Sequence, residues 1–512
     1  MSRSIADVQT RYTSRQIHTI FCGLVLIMLL GTIDQAIVAP ALAPIANELG
    51  GFDSVSWVVT AYLLTSTAST PVAGRMSDIH GRRSVVIGAL VLFLAGSVVC
   101  GWAPDLNTLI VGRGIQGLGG GALMALPNTI VADILSPRER GRYQAYISGT
   151  YAVSSLAGPV LGGLLSGHYS WRWIFWINLP LIVIAAALSW VTLSGLSARR
   201  TQHRIDYLGS VLMVGSTVCL LLALTWGGRR FAWDAWPTVA LLVGTIVLAM
   251  LFVGWQKRAV EPLLPLSILH NRIIVVTSIG AVLITMVNIA FSIYLPLYLQ
   301  IGRGQSVGEA GGMLTAPLFG VVLGSYLSGQ YMRYSGKYKL PPLAGLAVAA
   351  PMLAILAYSI ADLPVAAIVV LTFFQGVGIG ASLPPMMVSS QNSVPASDIG
   401  IATAVHTFFR AVGGTIGVAV FSALVLHLLG TDANLPGSGH AGHAGLHAAD
   451  AGVSEGLARA AAGAVNVTHA FGVFFAACAA TLALAWLVLN NLQVIPFRTT
   501  AARFEATKDA GV

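Results

Sequence analysis

The chain has 512 residues, 56% of them hydrophobic and 9% charged, with a mean hydropathy of +0.79. Soluble globular proteins carry roughly 25% charged residues, so an ordinary cytosolic enzyme is excluded. The formal charge of +9 at pH 7 reads as membrane topology and contact with anionic lipid, because nucleic-acid binding would need a basic face on a folded domain.

A helix needs about 20 apolar residues to cross ~30 Å of hydrocarbon. Taken in chain order, runs of that kind predict fourteen spans, at 17–43, 55–77, 84–102, 106–134, 142–165, 173–193, 207–226, 236–255, 273–299, 309–332, 341–360, 363–388, 399–429 and 470–489. The first run is longer than a signal peptide's apolar core and contains Asp34, so it is retained as a helix. With the N-terminus inside, 21 of the 28 Lys and Arg residues fall on cytoplasmic segments, among them Arg75, Arg82 and Arg83, and Arg138, Arg140 and Arg142. That bias sets the orientation and puts both termini in the cytoplasm. Arg172, Arg229, Arg230, Arg303 and Arg459 face outward, and Arg113 and Arg410 lie inside spans.

Cys22, Cys100, Cys219 and Cys478 sit in or at the ends of apolar runs without paired spacing, so neither a disulfide framework nor a metal site follows. The 430–468 loop is rich in Gly and Ala and contains His440, His443 and His447. Without Cys or acidic partners these histidines read as a solvated linker rather than a metal site.

LIVGRGIQGLGGG, residues 109–121, contains G-x-G-x-x-G at Gly112, Gly114 and Gly117, with Asp133 about where a ribose-binding carboxylate belongs. A dinucleotide fold requires a strand before this pattern and a soluble βαβ unit around it, whereas here it lies inside one long apolar helix. At 100° per residue Gly114, Gly117, Gly121 and Ala125 share a face that admits another helix closely. Arg113, Gln116 and Gly120 form a polar stripe beside that face. QGLGGGA (116–122) recurs as QGVGIGA (375–381), and the same offset of 259 pairs Glu139 and Gly141 with Asp398 and Gly400, and Gly158 with Gly417. Two homologous six-helix bundles are implied, with two helices inserted between them and a substrate cavity between the halves. The divisions are 1–195, 196–271 and 272–496, followed by a cytoplasmic tail at 497–512.

At this point the chain resembles the major facilitator superfamily, and within it the fourteen-helix drug:proton antiporters. GRMSDIHGRR matches the loop signature between helices 2 and 3 at Gly74, Asp78, Gly81, Arg82 and Arg83. Arg113, Gln116, Gly117, Gly119 and Gly121 are similar to the helix 4 signature. Gly149, Gly158, Pro159, Gly162 and Gly163 are similar to the antiporter signature of helix 5. WRWIFWINLP, 171–180, resembles the signature opening helix 6. IDQAIVAPALAPI resembles the acidic motif of helix 1, with Ala36 where Thr is usual and Pro40 at an unusual place. The resemblance implies an all-α membrane protein of fourteen helices. It implies a proton-coupled exporter of hydrophobic, often cationic compounds in a bacterial inner membrane, with no cofactor beyond the proton gradient. The alternative is an exporter of one endogenous metabolite, lipid or toxin. Lipid, substrate and protons are the expected partners of a monomeric unit, and the resemblance also admits a periplasmic adaptor.

Asp34 is the only acidic residue placed well inside a span. Helical rise puts it about 13 Å from the outer end of helix 1 and Arg113 about 10 Å from the same face, so the two can meet and couple proton binding to transport. The alternatives are a permanent structural ion pair, or an Asp34 that faces water near the rim. Gln35, Gln116, Asn288, Tyr294, Tyr298, Gln375, Gln391 and Arg410 are candidates to line the cavity with Asp34. Each can instead bond a neighbouring helix. His406 reads as a packed residue rather than a proton relay. Gly74 to Arg83 reads as a conformational latch, against a plain topogenic loop. GK[ST] and H-E-x-x-H are absent, and no intramembrane Ser/His or paired-Asp cluster appears, so neither a nucleotide-driven pump nor an enzyme is expected.

Overall fold

The computed structural model describes residues 14–50, 54–193, 206–227, 231–259, 262, 268, 270–395, 398–428 and 467–497. The histidines at 440, 443 and 447, residues 498–512 of the tail, Arg229, Arg230 and Arg459 lie outside these residues. The helices are α1 (Ser14–Ile37), α2 (Leu42–Leu49), α3 (Trp57–His80), α4 (Arg82–Gly101), α5 (Leu106–Ile134), α6 (Pro137–His168), α7 (Trp173–Trp176), α8 (Asn178–Thr192), α9 (Tyr207–Trp226) and α10 (Trp236–Gln256). They continue as α11 (Arg272–Ile301), α12 (Val307–Met313), α13 (Thr315–Ser335), α14 (Leu340–Ser359), α15 (Val365–Asn392), α16 (Ile399–Leu428) and α17 (Val467–Asn490).

Taking α7 with α8 and α12 with α13 as single broken rods, each of the fourteen anticipated runs is a helix. Twelve of them are long and apolar enough to cross a membrane. The other two, α3 and α6, bury Thr60, Ser66, Thr67, Thr70 and Ser77, and Ser148, Thr150 and Ser154. These hydroxyls bond largely to carbonyls three or four residues back or to other buried hydroxyls. They lower the hydropathy of these helices without leaving polar groups in lipid.

The first run differs from a continuous span. α1 stops at Ile37, a 3-10 turn covers Ala39–Ala41, and the chain resumes as α2. Pro40 has no N–H to donate and its ring crowds the carbonyl four residues earlier, which breaks the α-helix there. Pro180 acts in the same way just after the junction of α7 and α8 at Ile177.

Within the first group α1 packs on α5, α6 and α8, and α5 packs on α3 and α4. Within the second, α11 packs on α15, α16 and α17, and α15 packs on α13 and α14. The groups meet where α6 packs on α13 and α3 on α16, and the inserted pair is anchored by α9 against α3 and α16. Glycines permit these approaches. A Cβ on Gly117 or Gly121 would lie 2.5 Å from the carbonyl oxygen of Tyr62 or 2.2 Å from that of Ser66 on α3. In the second group Gly376 and Gly380 meet Pro317 and Val321 on α13 in the same way.

Up-and-down connectivity gives the bundle an Arg82 end and an Arg172 end. At the Arg82 end the groups touch: Gly141 lies against Gly329, Gly74 against Gly400 and Ala404, and Ser148 Oγ is 2.9 Å from Ser325 Oγ. Along α6, Gly141, Gln144 and Ser148 are buried, while Ser155 and Gly163, farther toward the Arg172 end, are exposed. The groups are therefore closed against each other at the Arg82 end and part toward the Arg172 end.

A Cβ on Gly162 would sit 2.2 Å from the carbonyl oxygen of Ile37, whereas Gly163 has open space. We predict that Gly162→Val lowers the melting temperature of the detergent-purified protein, by the roughly 1–3 kcal/mol typical of overpacking. Gly163→Val should leave it unchanged.

Candidate functional site

Asp34 and Arg113 meet. Arg113 Nη1 donates to Asp34 Oδ2 at 2.6 Å, and the side chains are 0% and 1% exposed. Five segments build the pocket. From α5, Gln116, one turn after Arg113, accepts from Arg113 Nη1 at 2.6 Å and donates through Nε2 to Asp34 Oδ1 at 2.9 Å. From α4, Ser97 Oγ accepts a second bond from Gln116 Nε2 at 2.9 Å and itself donates to the carbonyl of Phe93. From α3, the Val58 carbonyl accepts from Arg113 Nε at 3.0 Å, and the Tyr62 ring lies 4.3 Å from the guanidinium carbon. From the α7–α8 segment, Phe175 adds a second aromatic face and Asn178 Nδ2 donates to Asp34 Oδ1 at 2.8 Å.

Burial of this kind is tolerable only when the charges are paired and their hydrogen bonds made, since an arginine or aspartate at the centre of a membrane helix costs about 2.5–3.5 kcal/mol on insertion scales. The local sequence makes the room. A Cβ on Gly96 would lie 2.5 Å from the backbone nitrogen of Gln116, so α4 can touch α5 at that level. A Cβ on Gly158 would lie 2.4 Å from the Ala36 Cβ, so α6 seats against α1 two residues from Asp34. Thr32 and Ser154 join the same two helices at 2.6 Å. Of the helix 5 signature, Gly158 and Gly162 make close approaches to α1, whereas nothing lies within 4 Å of a Cβ on Gly149 or Gly163.

The other candidates are dispersed. Tyr294 and Tyr298 are core residues of the second group: Tyr294 donates to Ser422 Oγ at 2.7 Å, and Tyr298 to the Ile360 carbonyl at 3.0 Å. Gln391 is buried in the contact between the groups, accepting from Arg140 and donating to Thr403 and to the Asn128 carbonyl. Gln375 is buried within the second group with its Nε2 unbonded. Gln35 and Asn288 are half-buried. Arg410 is half-buried and reaches across to Tyr151 OH on α6 at 2.9 Å. His406 is buried and packed.

In the GRMSDIHGRR turn, Gly81 has φ +88°, a conformation that favours glycine. Arg82 is held by Asp78, by Asp133 Oδ2 at 2.7 Å and by Ser77 Oγ at 2.7 Å. A Cβ on Gly400 would collide with the Asp78 carboxyl, so this network abuts α16 of the other group. Arg83 stands apart from it, stacked 3.8 Å over the Trp190 ring. Asp133, Asn178 and Ser97 belong to these networks and were not singled out as network members from the sequence. The depths of Asn178 and Ser97 along their helices, counted from the same face, match those of Asp34 and Arg113 and are the sequence signal for them.

A profile of the Major Facilitator Superfamily matches residues 24–418. Multidrug resistance protein 3 of Bacillus subtilis is 31% identical over 442 residues, 85% of this chain and 85% of that one. An uncharacterized MFS-type transporter of Mycobacterium tuberculosis is 34% identical over 413 residues, 80% of this chain, which spans 60% of that relative's length. Among solved structures, the proton:xylose symporter XylE matches with TM-score 0.61 and 15% identity over 97% of this chain and 100% of that one, a likeness of fold.

Removing one partner of a buried ion pair strands the other, at a cost of about 3–5 kcal/mol. We expect Arg113→Met to reduce the melting temperature of the purified protein sharply, and Asp34→Asn combined with Arg113→Met to recover most of the loss. Equal melting of the two variants would show that the pair is not coupled.

Proposed function

The chain belongs to the Major Facilitator Superfamily of membrane transporters, and from that premise we propose that it is a proton-coupled antiporter that exports hydrophobic, often cationic compounds by alternating access. The observation that carries this reading is the fully buried Asp34 site. Four hydrogen-bonding side chains from three segments converge on or around one carboxylate, within the group of helices that must move against the other. An intramembrane ionisable residue with so many partners is a functional candidate by default. The similarity to Multidrug resistance protein 3 supports export of drug-like compounds.

In this reading Asp34 exchanges a proton for substrate. As a carboxylate it draws α1, α5 and the α7–α8 segment together through Arg113, Gln116 and Asn178. Protonation removes the charge that Arg113 neutralises and weakens that clamp. The change in packing within the first group biases its contacts with the second, which is the two-state element a transporter requires. The Arg82 end is assigned to the cytoplasm by its arginines, so the conformation described is open toward the outside of an inner membrane. Asp78, Arg82 and Asp133 form the latch that holds the cytoplasmic side shut, together with the Ser148–Ser325 and Arg140–Gln391 bonds. Arg410 and Tyr151, joining the halves near mid-membrane, stand where cargo would pass.

Two experiments test the reading. In proteoliposomes with an imposed pH gradient, Asp34→Asn is expected to abolish gradient-driven ethidium movement while the protein inserts at normal levels; retained coupling would overturn the assignment. If the wild type moves none of a panel of lipophilic dyes, export of a single endogenous compound becomes the better reading. Ser148→Cys with Ser325→Cys, in a background lacking Cys22, is expected to form a disulfide that arrests transport until reductant is added.

A further inference from the structure

Among the described residues, every hydrogen-bonding side chain that touches the Asp34 carboxylate does so as a donor: Arg113 on Oδ2, Gln116 and Asn178 on Oδ1. That arrangement suits an anion and offers no lone pair to a carboxylic acid. The charged and titratable groups facing Asp34 are Arg113 of α5, Tyr62 of α3 and Cys100 of α4, with Tyr151 of α6 beyond Tyr62. Tyr62 OH is committed as a donor to the Gly31 carbonyl.

The two amides differ in their freedom. Gln116 cannot turn over, because its Oε1 accepts from Arg113 and its Nε2 donates to Ser97, whose own hydrogen is given to Phe93. A half-turn would place its NH₂ against the guanidinium. Asn178, 1% exposed, makes among the described residues no side-chain hydrogen bond other than that to Asp34. Rotating its amide by half a turn exchanges Nδ2 for Oδ1 at the same place, and a donor becomes an acceptor.

We propose that Asn178 is the positioning residue that reads the proton on Asp34, presenting its NH₂ to the carboxylate and its carbonyl to the acid. The inference rests on the reading that Asp34 carries the proton. The proton comes from water admitted during the transport cycle and adds to Oδ1, with its hydrogen directed to Asn178 Oδ1; Oδ2 keeps Arg113. On release the proton returns to water and the amide turns back. Asn178 is the first residue of α8, next to the break at Ile177, and α8 packs on both α1 and α4. Two residues earlier the Trp176 ring abuts Gly101, the last residue of α4. The amide is therefore placed to pass the state of Asp34 to the Arg172 end of the first group.

The test is infrared difference spectroscopy between low and high pH on the full-length protein with ¹³C-labelled asparagine side chains, paired with ethidium transport in proteoliposomes. In the wild type a labelled amide carbonyl band shifts with pH, and Asn178→Leu and Asp34→Asn each abolish that shift. Asn178→Leu also lowers gradient-driven ethidium exchange by about tenfold, the scale of one hydrogen bond to a buried group. A wild type with no labelled band, or a band that survives Asn178→Leu, overturns the inference. If Asn178→Leu does not fold, the wild type and Asp34→Asn spectra still decide it. Should Asp34→Asn retain coupled exchange, the antiport reading fails; should it lose exchange while the labelled band is silent in wild type, the role of Asn178 alone fails.

Discussion

A carboxylate and a guanidinium 2.6 Å apart in a fully buried pocket constrain the whole first group of helices. Neither charge can be left alone at that depth, so each helix that reaches the pair must supply either a hydrogen bond or a surface that keeps water out. The glycines follow from this requirement: Gly96 lets α4 touch Gln116, and Gly158 and Gly162 let α6 lie on α1. The aromatic faces of Tyr62 and Phe175 follow as well, covering the delocalised cation without competing for its hydrogens. A site so fully bonded is costly to disturb.

The two groups have kept the same packing scheme and divided the chemistry. At the repeat offset, Gln116 corresponds to Gln375, Arg113 to Thr372 and Ser97 to Leu356. The second group thus retains the amide without the ion pair, and Gln375 is left buried with an unbonded nitrogen. The polar groups that the second group turns toward the first, Ser325, Gln391 and Arg410, serve contacts between the halves. One group carries the buried charge, and the other supplies the surface against which it works.

Much of this was legible in the sequence because membrane spans obey simple rules. Apolar length gave the helices, and helical rise put Asp34 and Arg113 at matching depths. The break after Ile37 was legible only as an oddly placed Pro40. What the sequence did not reveal is the direction of uncharged side chains. Tyr294 and Tyr298 look like cavity residues in a string of letters and are core residues in the fold, because both faces of α11 carry apolar neighbours and nothing in the pattern distinguishes them. Asn178 sits in a quoted signature, yet an amide announces no cost in lipid comparable to a charge, so depth alone did not draw attention to it. In the sequence Asp133 reads only as a ribose-binding candidate in a nucleotide fold that the chain does not form. Its pairing with Arg82 depends on the end of α5 meeting the start of α4.

The most direct measurement is proton release on substrate binding. Purified protein in weakly buffered detergent, carrying a pH indicator, is mixed with ethidium. The account predicts that the wild type releases protons as the dye binds and that the Asp34→Asn protein binds dye without releasing any. Equal proton release from both proteins would contradict it.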